Sequence, residues 1–347
     1  MIAAFTRSQR LTGALGGGAC LVALALCVVD ARAALTGWLA AFVFWSAIPM
    51  GALGLRMMTR LMPGIWSGEV APVAEMLSTL LPLAALAVLP VLIGSHALYS
   101  WTGETAGGFR GLYLSTWFFA LRSILFFVGT IVLGFLLATR PAWSMPLAAG
   151  GMIAFVLLDT TVATDWLMSL EPDFDSSGFG LYVLSIQMTI ALMAAITIRL
   201  IAEAEPERPE LLAALMLSVL LLWEYFAFMQ YFIIWSENLP KRVAWFQERG
   251  RGGWAVAEYA IALLDLIPTV LLFFAPVRRS RLLLLGIAAA VLLAKAIEIA
   301  WLVFPASKAA PRVEWGSAIL ASIGLIGLSA AFFGWIGGAR LRSRAAG

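Results

Sequence analysis

A set of ionisable side chains falls inside strongly apolar stretches of the sequence. They are Arg122, Asp159, Asp165, Glu224, Glu258, Asp265, Lys295 and Glu298. An ionised group at the centre of a bilayer costs about 3 kcal/mol, so each one needs a partner, a proton or a water-filled cavity. The carboxyl groups outnumber the cations. We therefore expect some of them to hold protons, and we take these residues as candidates for a proton relay.

The spacing of these residues predicts two relationships. Lys295 and Glu298 are three residues apart, so they can pair on one face of a helix. Glu258 and Asp265 are seven residues apart and point the same way, two turns from each other.

Two interpretations of the charged set remain open. The residues can form interhelical salt bridges that hold the helices together, for instance Arg122 with Asp159 or with Asp165. They can instead pass protons. Glu224 has no basic partner in its own apolar stretch, and we predict a proton-exchanging or ligand-facing role for it. Arg122, Asp165, Glu258 and Glu298 are predicted in the outer half of the membrane, and Asp159, Glu224 and Asp265 near its middle. This placement predicts half of a proton path, open to the outside.

Ligands for redox centres are scarce. The single histidine, His96, cannot supply both axial ligands of a membrane b-type haem. Cys20 and Cys27, which we expect to be buried thiols, fall short of the four thiolates of an iron–sulfur cluster. We therefore expect no haem, iron–sulfur cluster or metal on this chain. For His96 we predict an interfacial hydrogen-bonding role or contact with a quinone headgroup.

Composition places the chain in a membrane. Of its 347 residues 62% are hydrophobic and 12% charged, and its mean hydropathy is +0.94. The net charge of +3 comes from arginines that flank apolar runs, so we expect no nucleic-acid partner. Runs of roughly 20 apolar residues, enough to cross a bilayer, recur along the chain. They predict about ten spans, at 11–29, 34–55, 72–94, 113–138, 146–169, 178–201, 211–235, 254–274, 281–303 and 316–338.

We expect an all-α integral membrane protein with a single membrane domain over residues 1–347. Residues 34–169 and 170–303 are predicted to form two four-helix bundles, which a weak internal duplication would relate. The first helix, within 1–33, and the last, at 316–338, are predicted to be peripheral. The first apolar stretch is longer than the core of a signal peptide, so we expect that helix to be retained.

Two further patterns concern packing and orientation. Gly13 and Gly17 give the first span a G-x-x-x-G face for helix packing. Lys and Arg are more numerous on the side of the two termini, so both termini are expected in the cytoplasm. The acidic loop 171–175 agrees with an outer position, whereas the basic segment 241–251 on the same side argues against it.

Four segments together resemble one family of membrane proteins. They are Tyr113–Arg122, Asp165–Pro172, Gln230–Pro240 and Lys295–Trp301, and Asp-Trp-Leu-Met-Ser-Leu-Glu-Pro at 165–172 is the most specific. They resemble the NrfD/polysulfide-reductase-like membrane subunits of bacterial alternative complex III, in particular the smaller, ActF-type subunit. The resemblance covers roughly residues 34–340.

The resemblance implies a cofactor-free integral membrane subunit of a quinol-oxidising complex, a quinol:cytochrome c oxidoreductase in the bacterial inner membrane. The implied partners are a larger NrfD-like membrane subunit, a multihaem cytochrome c and iron–sulfur subunits, which carry the haem and iron–sulfur centres. The smaller subunit is implied to serve structure and proton translocation and not to be catalytic alone. Arg122, Asp165, Lys295 and Glu298 match the intramembrane polar positions of the family.

The chain departs from the family pattern at Lys241 and Arg242, where two acids are common. Other classes of function therefore stay open. A proton-coupled secondary transporter would have its site between the duplicated halves, with helix breaks for which Pro49 and Pro268 are candidates. An inert anchor would have every intramembrane charge paired.

Overall fold

The computed structural model describes residues 7–103, 107–202 and 208–345. Regular structure in these ranges is entirely helical. The helices that carry the fold are α1 Arg7–Ala25, α2 Ala31–Leu61, α3 Ile65–Ser78, α4 Leu81–Ile93, α5 Thr116–Thr139, α6 Ser144–Trp166, α7 Phe179–Ala202, α8 Pro209–Glu237, α9 Pro240–Arg249, α10 Gly253–Leu271, α11 Arg281–Val303 and α12 Pro311–Ala345.

Within the described residues, nine helices are long and apolar enough to cross a membrane, or ten if α3 and α4 count as one span. The predicted all-α membrane fold with about ten spans is confirmed. The third span, predicted at 72–94, consists of two helices, because α3 and α4 meet at a bend of 42°. Pro82 lies in the first turn of α4, where its missing N–H and its ring prevent a continuous helix.

Other prolines do not break their helices. Helix α2 continues through Pro49 and α10 continues through Pro268. Helix α8, which would be the counterpart of the bent third span in a duplicated fold, is continuous as well. The breaks considered for a transporter therefore do not occur at these prolines.

Helix α2 lies at the centre of the protein. In its apolar 18-residue stretch, 89% of the residues are buried. It packs against α3, α6, α7, α11 and α12. Its first turn is capped by Asp30, whose carboxylate accepts a hydrogen bond from the Ala33 N–H at 3.0 Å. The helix extends beyond the predicted 34–55 at both ends. Arg56 therefore belongs to a buried helix rather than to a loop.

Helices α1 and α12 pack closely through glycine. A Cβ atom added at Gly16 would lie 2.8 Å from the Leu328 amide nitrogen and 2.9 Å from the Gly324 carbonyl oxygen. Nothing would lie within 4 Å of a Cβ atom at Gly17. The prediction that Gly17 packs against another helix is therefore wrong. Helix α1 is rotated so that Gly16, and not Gly17, faces α12.

The two cysteines of this region differ in their surroundings. Cys20 is buried, as predicted, and both thiols are free. Cys27 is only half-buried, because it lies in a short 3-10 turn after α1 has ended. The prediction of a second buried thiol is therefore wrong.

Helix α9 lies outside the candidate spans and is docked on the loop between α6 and α7. Acidic residues of that loop pair with basic residues of α9, in the pairs Lys241–Asp173, Arg242–Asp175 and Arg249–Glu171. The acidic and basic segments that gave opposite indications of topology thus lie together and neutralise each other. The basic departures from the family pattern have partners inside the chain. We call this end of the protein the α9 end.

Candidate functional site

Three charged side chains form a fully buried cluster between α10 and α11. The Lys295 ammonium donates hydrogen bonds to Asp265 Oδ2 at 3.0 Å and to Glu298 Oε2 at 2.8 Å. The exposed fractions of Lys295, Asp265 and Glu298 are 0%, 0% and 1%. Helix periodicity predicts the pairing of Lys295 with Glu298, and the packing of α10 on α11 adds Asp265. We call these three residues the lysine cluster.

Two further helices contribute neutral residues to the lysine cluster. The Tyr182 hydroxyl of α7 and the Trp223 indole N–H of α8 both donate to Glu298 Oε1, the latter at 3.0 Å. The Lys295 ammonium lies 3.1 Å from the centre of the Trp223 ring, a cation–π contact. Four helices therefore converge on one buried charge centre.

The charge balance of the lysine cluster is uneven. One ammonium faces two carboxyl groups, and an excess negative charge away from water is costly unless a proton compensates for it. Asp265 Oδ1 has no hydrogen-bond partner in the described part of the chain, so a proton can be placed there. Glu224 on α8 is near enough to interact electrostatically with Asp265, and its Oε1 atom is also without a hydrogen-bond partner.

A cavity of about 180 Å³ joins the lysine cluster to the α9 end. Glu298 lines its inner side, and the exposed Glu258 lines it as well. Gln230 and Trp301 also line the cavity, and their side-chain nitrogen atoms have no hydrogen-bond partner among the described residues. A cavity with such groups has the room and the polar contacts that ordered water requires. It offers a short route from the surface to the buried carboxyl groups.

Arg122 and Asp165 form a separate pair between α5 and α6. The guanidinium binds both carboxylate oxygens, with Nε to Oδ2 at 2.7 Å and Nη2 to Oδ1 at 2.8 Å. The rings of Tyr113 and Phe118 flank it at 4.0 Å and 4.5 Å from the guanidinium carbon. Of the two partners considered for Arg122, the structure places Asp165 beside it and not Asp159. A two-point ion pair of this kind is strong and directional, which suits a structural role.

Asp159 lies in the interior, and no cation of the described residues pairs with it. Its exposed fraction is 0%, and within the described ranges neither carboxyl oxygen has a hydrogen-bond partner. Gln187 of α7 is the polar side chain that faces it. A buried acid without a cation is suited to hold a proton rather than a charge.

The candidate residues thus fall into separate groups on the two sides of α7. Tyr182 of α7 contacts the lysine cluster, whereas Gln187 of the same helix faces Asp159. His96 belongs to neither group. It is exposed and lines a small surface cavity of about 280 Å³ together with Arg32.

Sequence reasoning missed two buried arginines. Arg249 belongs to the basic segment 241–251, which lies outside the predicted spans, yet it is fully buried. It donates to the carbonyls of Trp301 and Leu302 at 3.1 Å and 3.0 Å, and it pairs with Glu171 at 2.5 Å. Arg56 fell one residue outside the predicted second span. The apolar residues on both sides of Arg56 are the signal that could have extended the span to include it.

The fold and the buried charges define a class of protein, an all-α multi-pass membrane protein with an ion cluster in its interior. No model of a known protein family matches the chain, and no curated protein matches it either. The residues that the structure describes contain no group of three or more His, Cys, Asp or Glu that could hold a metal ion. The likeness to the alternative complex III subunit therefore rests on the four sequence segments.

Proposed function

We propose that this chain is a cofactor-free membrane subunit of a quinol-oxidising electron-transfer complex of the alternative complex III type. In this role it stabilises the assembly and carries protons. Its partners are a larger NrfD-like subunit, a multihaem cytochrome c and iron–sulfur subunits, in the bacterial inner membrane with both termini of this chain in the cytoplasm. The observation that carries the proton-handling part is the lysine cluster, in which two buried carboxyl groups share one ammonium.

The geometry suggests a sequence of proton positions. A proton enters at the α9 end beside the exposed Glu258 and crosses the cavity to Glu298. From there it reaches Asp265, which contacts the same ammonium and has a free oxygen. When Asp265 is neutral, Glu298 supplies the negative charge that balances Lys295, so the lysine cluster can alternate between two charge states. Glu224 is the next acid in electrostatic reach of Asp265.

Co-purification tests the subunit role. We expect the full chain, tagged and extracted in mild detergent, to bring down a haem-bearing protein and a larger NrfD-like protein. Absorption spectra and mass spectrometry would detect them. Recovery of the chain without any such partner contradicts the subunit role.

Proton release by the intact complex in vesicles tests the relay. Asp265→Asn should lower quinol-driven proton release at least about tenfold, since a lost proton-transfer group commonly costs that much or more. Glu210→Gln, a change of a carboxylate to its amide in an exposed ion pair away from the α9 end, is the matched control and should leave it unchanged. Equal proton release in both variants would reduce the lysine cluster to a structural anchor.

A proton-coupled secondary transporter is the second candidate. The bend between α3 and α4 favours it, because interrupted helices often form substrate sites in transporters. The continuous α8 lacks the matching interruption that a duplicated transporter would have. Proton-coupled solute uptake by the isolated chain in liposomes would favour this candidate over the subunit role.

A further inference from the structure

A second cavity, of about 630 Å³, lies away from the α9 end, between α2, the bend of α3 and α4, α5 and α12. Gly134, which lines it on α5, is about 18 Å farther along that helix than Arg122, at about 1.5 Å per residue. The cavity is therefore remote from the Arg122–Asp165 pair, and it has no lining residue in common with the cavity at the lysine cluster. Arg56 and Glu75 supply its charges, and Ile131, Phe135 and Phe333 contribute apolar walls.

The Arg56 guanidinium is incompletely bonded. The residue is only 4% exposed, and its Nη1 atom donates to the Gly134 carbonyl at 3.0 Å. Its Nε and Nη2 atoms are buried and have no hydrogen-bond partner in the parts of the chain that are described. Glu75 Oε1 lies 3.7 Å from Nη2, which is too long for a hydrogen bond. A buried cation is thus left with two unused donors, which is energetically unfavourable.

The two unused donors form one edge of the guanidinium. Arg122 uses the same edge, Nε with Nη2, to bind both oxygens of Asp165. This edge matches the oxygen spacing of carboxylates and phosphates and binds them at two points. Arg56 therefore offers an edge that fits an oxyanion. Both donors are covered in the present arrangement, so an oxyanion reaches them when the Glu75 side chain, 3.7 Å from Nη2, turns aside. The hydrogen bond from Nη1 to the Gly134 carbonyl holds the guanidinium in place.

We propose that the cavity binds the phosphate of an anionic phospholipid, with the Nε and Nη2 donors of Arg56 on two phosphate oxygens. The apolar walls and the position between candidate membrane spans favour a lipid over a free ion, because they match acyl chains beside a phosphate. In its present position, 3.7 Å from Nη2, the Glu75 carboxylate would repel the phosphate. Its side chain is 51% exposed and free to turn outward. Arg60, exposed at the end of α2, adds attraction for the headgroup.

Lipid binding by the full chain in detergent tests the proposal. Native mass spectrometry and thermal unfolding would compare phosphatidylglycerol with phosphatidylcholine. We expect the protein to retain and be stabilised by phosphatidylglycerol, and Arg56→Gln to weaken that binding by about tenfold or more. Glu75→Gln should keep or strengthen it, since repulsion is removed. Arg60→Gln, a control that removes charge but not the two-point contact, should weaken it less than Arg56→Gln.

Further variants and probes make the test decisive. Arg56→Lys keeps the charge but loses the planar edge, so we expect intermediate binding; it also covers the case in which Arg56→Gln does not fold. Equal binding of both lipids would overturn the proposal. So would a loss of binding in Glu75→Gln as large as in Arg56→Gln, which would make Glu75 the natural partner of Arg56. Stabilisation by inorganic phosphate equal to that by lipid would overturn the assignment to a lipid.

Discussion

Trp223 contacts both ions of a buried pair. The Lys295 ammonium lies 3.1 Å from the centre of its ring, and its indole N–H donates to Glu298 Oε1 at 3.0 Å. The face of an aromatic ring is electronegative and its edge electropositive, so each ion meets the side that attracts it. A neutral residue on α8 thereby helps to position the charges of α11.

The hydrogen bond from Trp223 can be isolated with a matched pair of variants. Trp223→Phe should lower the free energy of unfolding by about 1–3 kcal/mol more than Trp301→Phe, because it removes one of the hydrogen-bond donors to the buried Glu298 carboxylate. Trp301 is also buried, but its indole N–H has no hydrogen-bond partner among the described residues. Denaturant unfolding in detergent would give both values. An equal loss in the two variants would show that only ring volume matters.

The ammonium of Lys295 should be essential to stability only while its carboxyl partners can ionise. Lys295→Met should cost about 3–5 kcal/mol of unfolding free energy, because it leaves buried acids without a cation. Adding Asp265→Asn to Lys295→Met should recover part of that loss. A double-mutant cycle measures the coupling, and additive effects would contradict a shared charge centre.

The contact between α1 and α12 predicts opposite outcomes at adjacent glycines. Gly16→Ala should lower the free energy of unfolding by about 1–3 kcal/mol, because its Cβ atom would collide with the backbone of α12. Gly17→Ala is the control, since no atom lies within 4 Å of its added Cβ. Thermal unfolding in detergent would distinguish them. Similar melting temperatures for the two variants would mean that α1 does not pack here as described.

The docking of α9 should depend on pH. Hydrogen bonds from Lys241 and Arg242 hold the pKa of Asp173 and of Asp175 below the ordinary value of 3.8. A carboxyl group with a lowered pKa in the folded state contributes stability that is fully present above its ordinary pKa. That contribution is lost as the pH falls through the lowered value. We therefore expect α9 to stay docked at neutral pH and to loosen below about pH 4.

Spin labels at two exposed positions, Ser177 and Gln247, would report the docking as a distance, in a variant without the native cysteines. The double variant Asp173→Asn with Asp175→Asn is the control. It should show a longer distance than the unchanged chain already at pH 7 and a smaller transition on acidification, because Arg249 still pairs with Glu171. The same acid transition in the control would assign it to other groups.

The sequence by itself determined the helical membrane fold and most of the spans. Hydropathy is a local property of a stretch of chain, so it identifies a span without knowledge of its neighbours. The same holds for Lys295 and Glu298, since one turn of helix brings them together whatever surrounds them. The third span shows the limit of local reasoning. Its hydropathy is continuous, whereas its geometry is bent.

Only the tertiary structure decided which charges meet. Both Asp159 and Asp165 were candidates for Arg122, and the rotation of α6 about its axis selects Asp165. Asp265 joins Lys295 only because α10 packs beside α11, and Arg249 is buried only because α9 is docked on the neighbouring loop. These outcomes depend on which helices are neighbours and on how each is rotated. Periodicity within one helix contains neither quantity, because both are set by the packing of the whole chain.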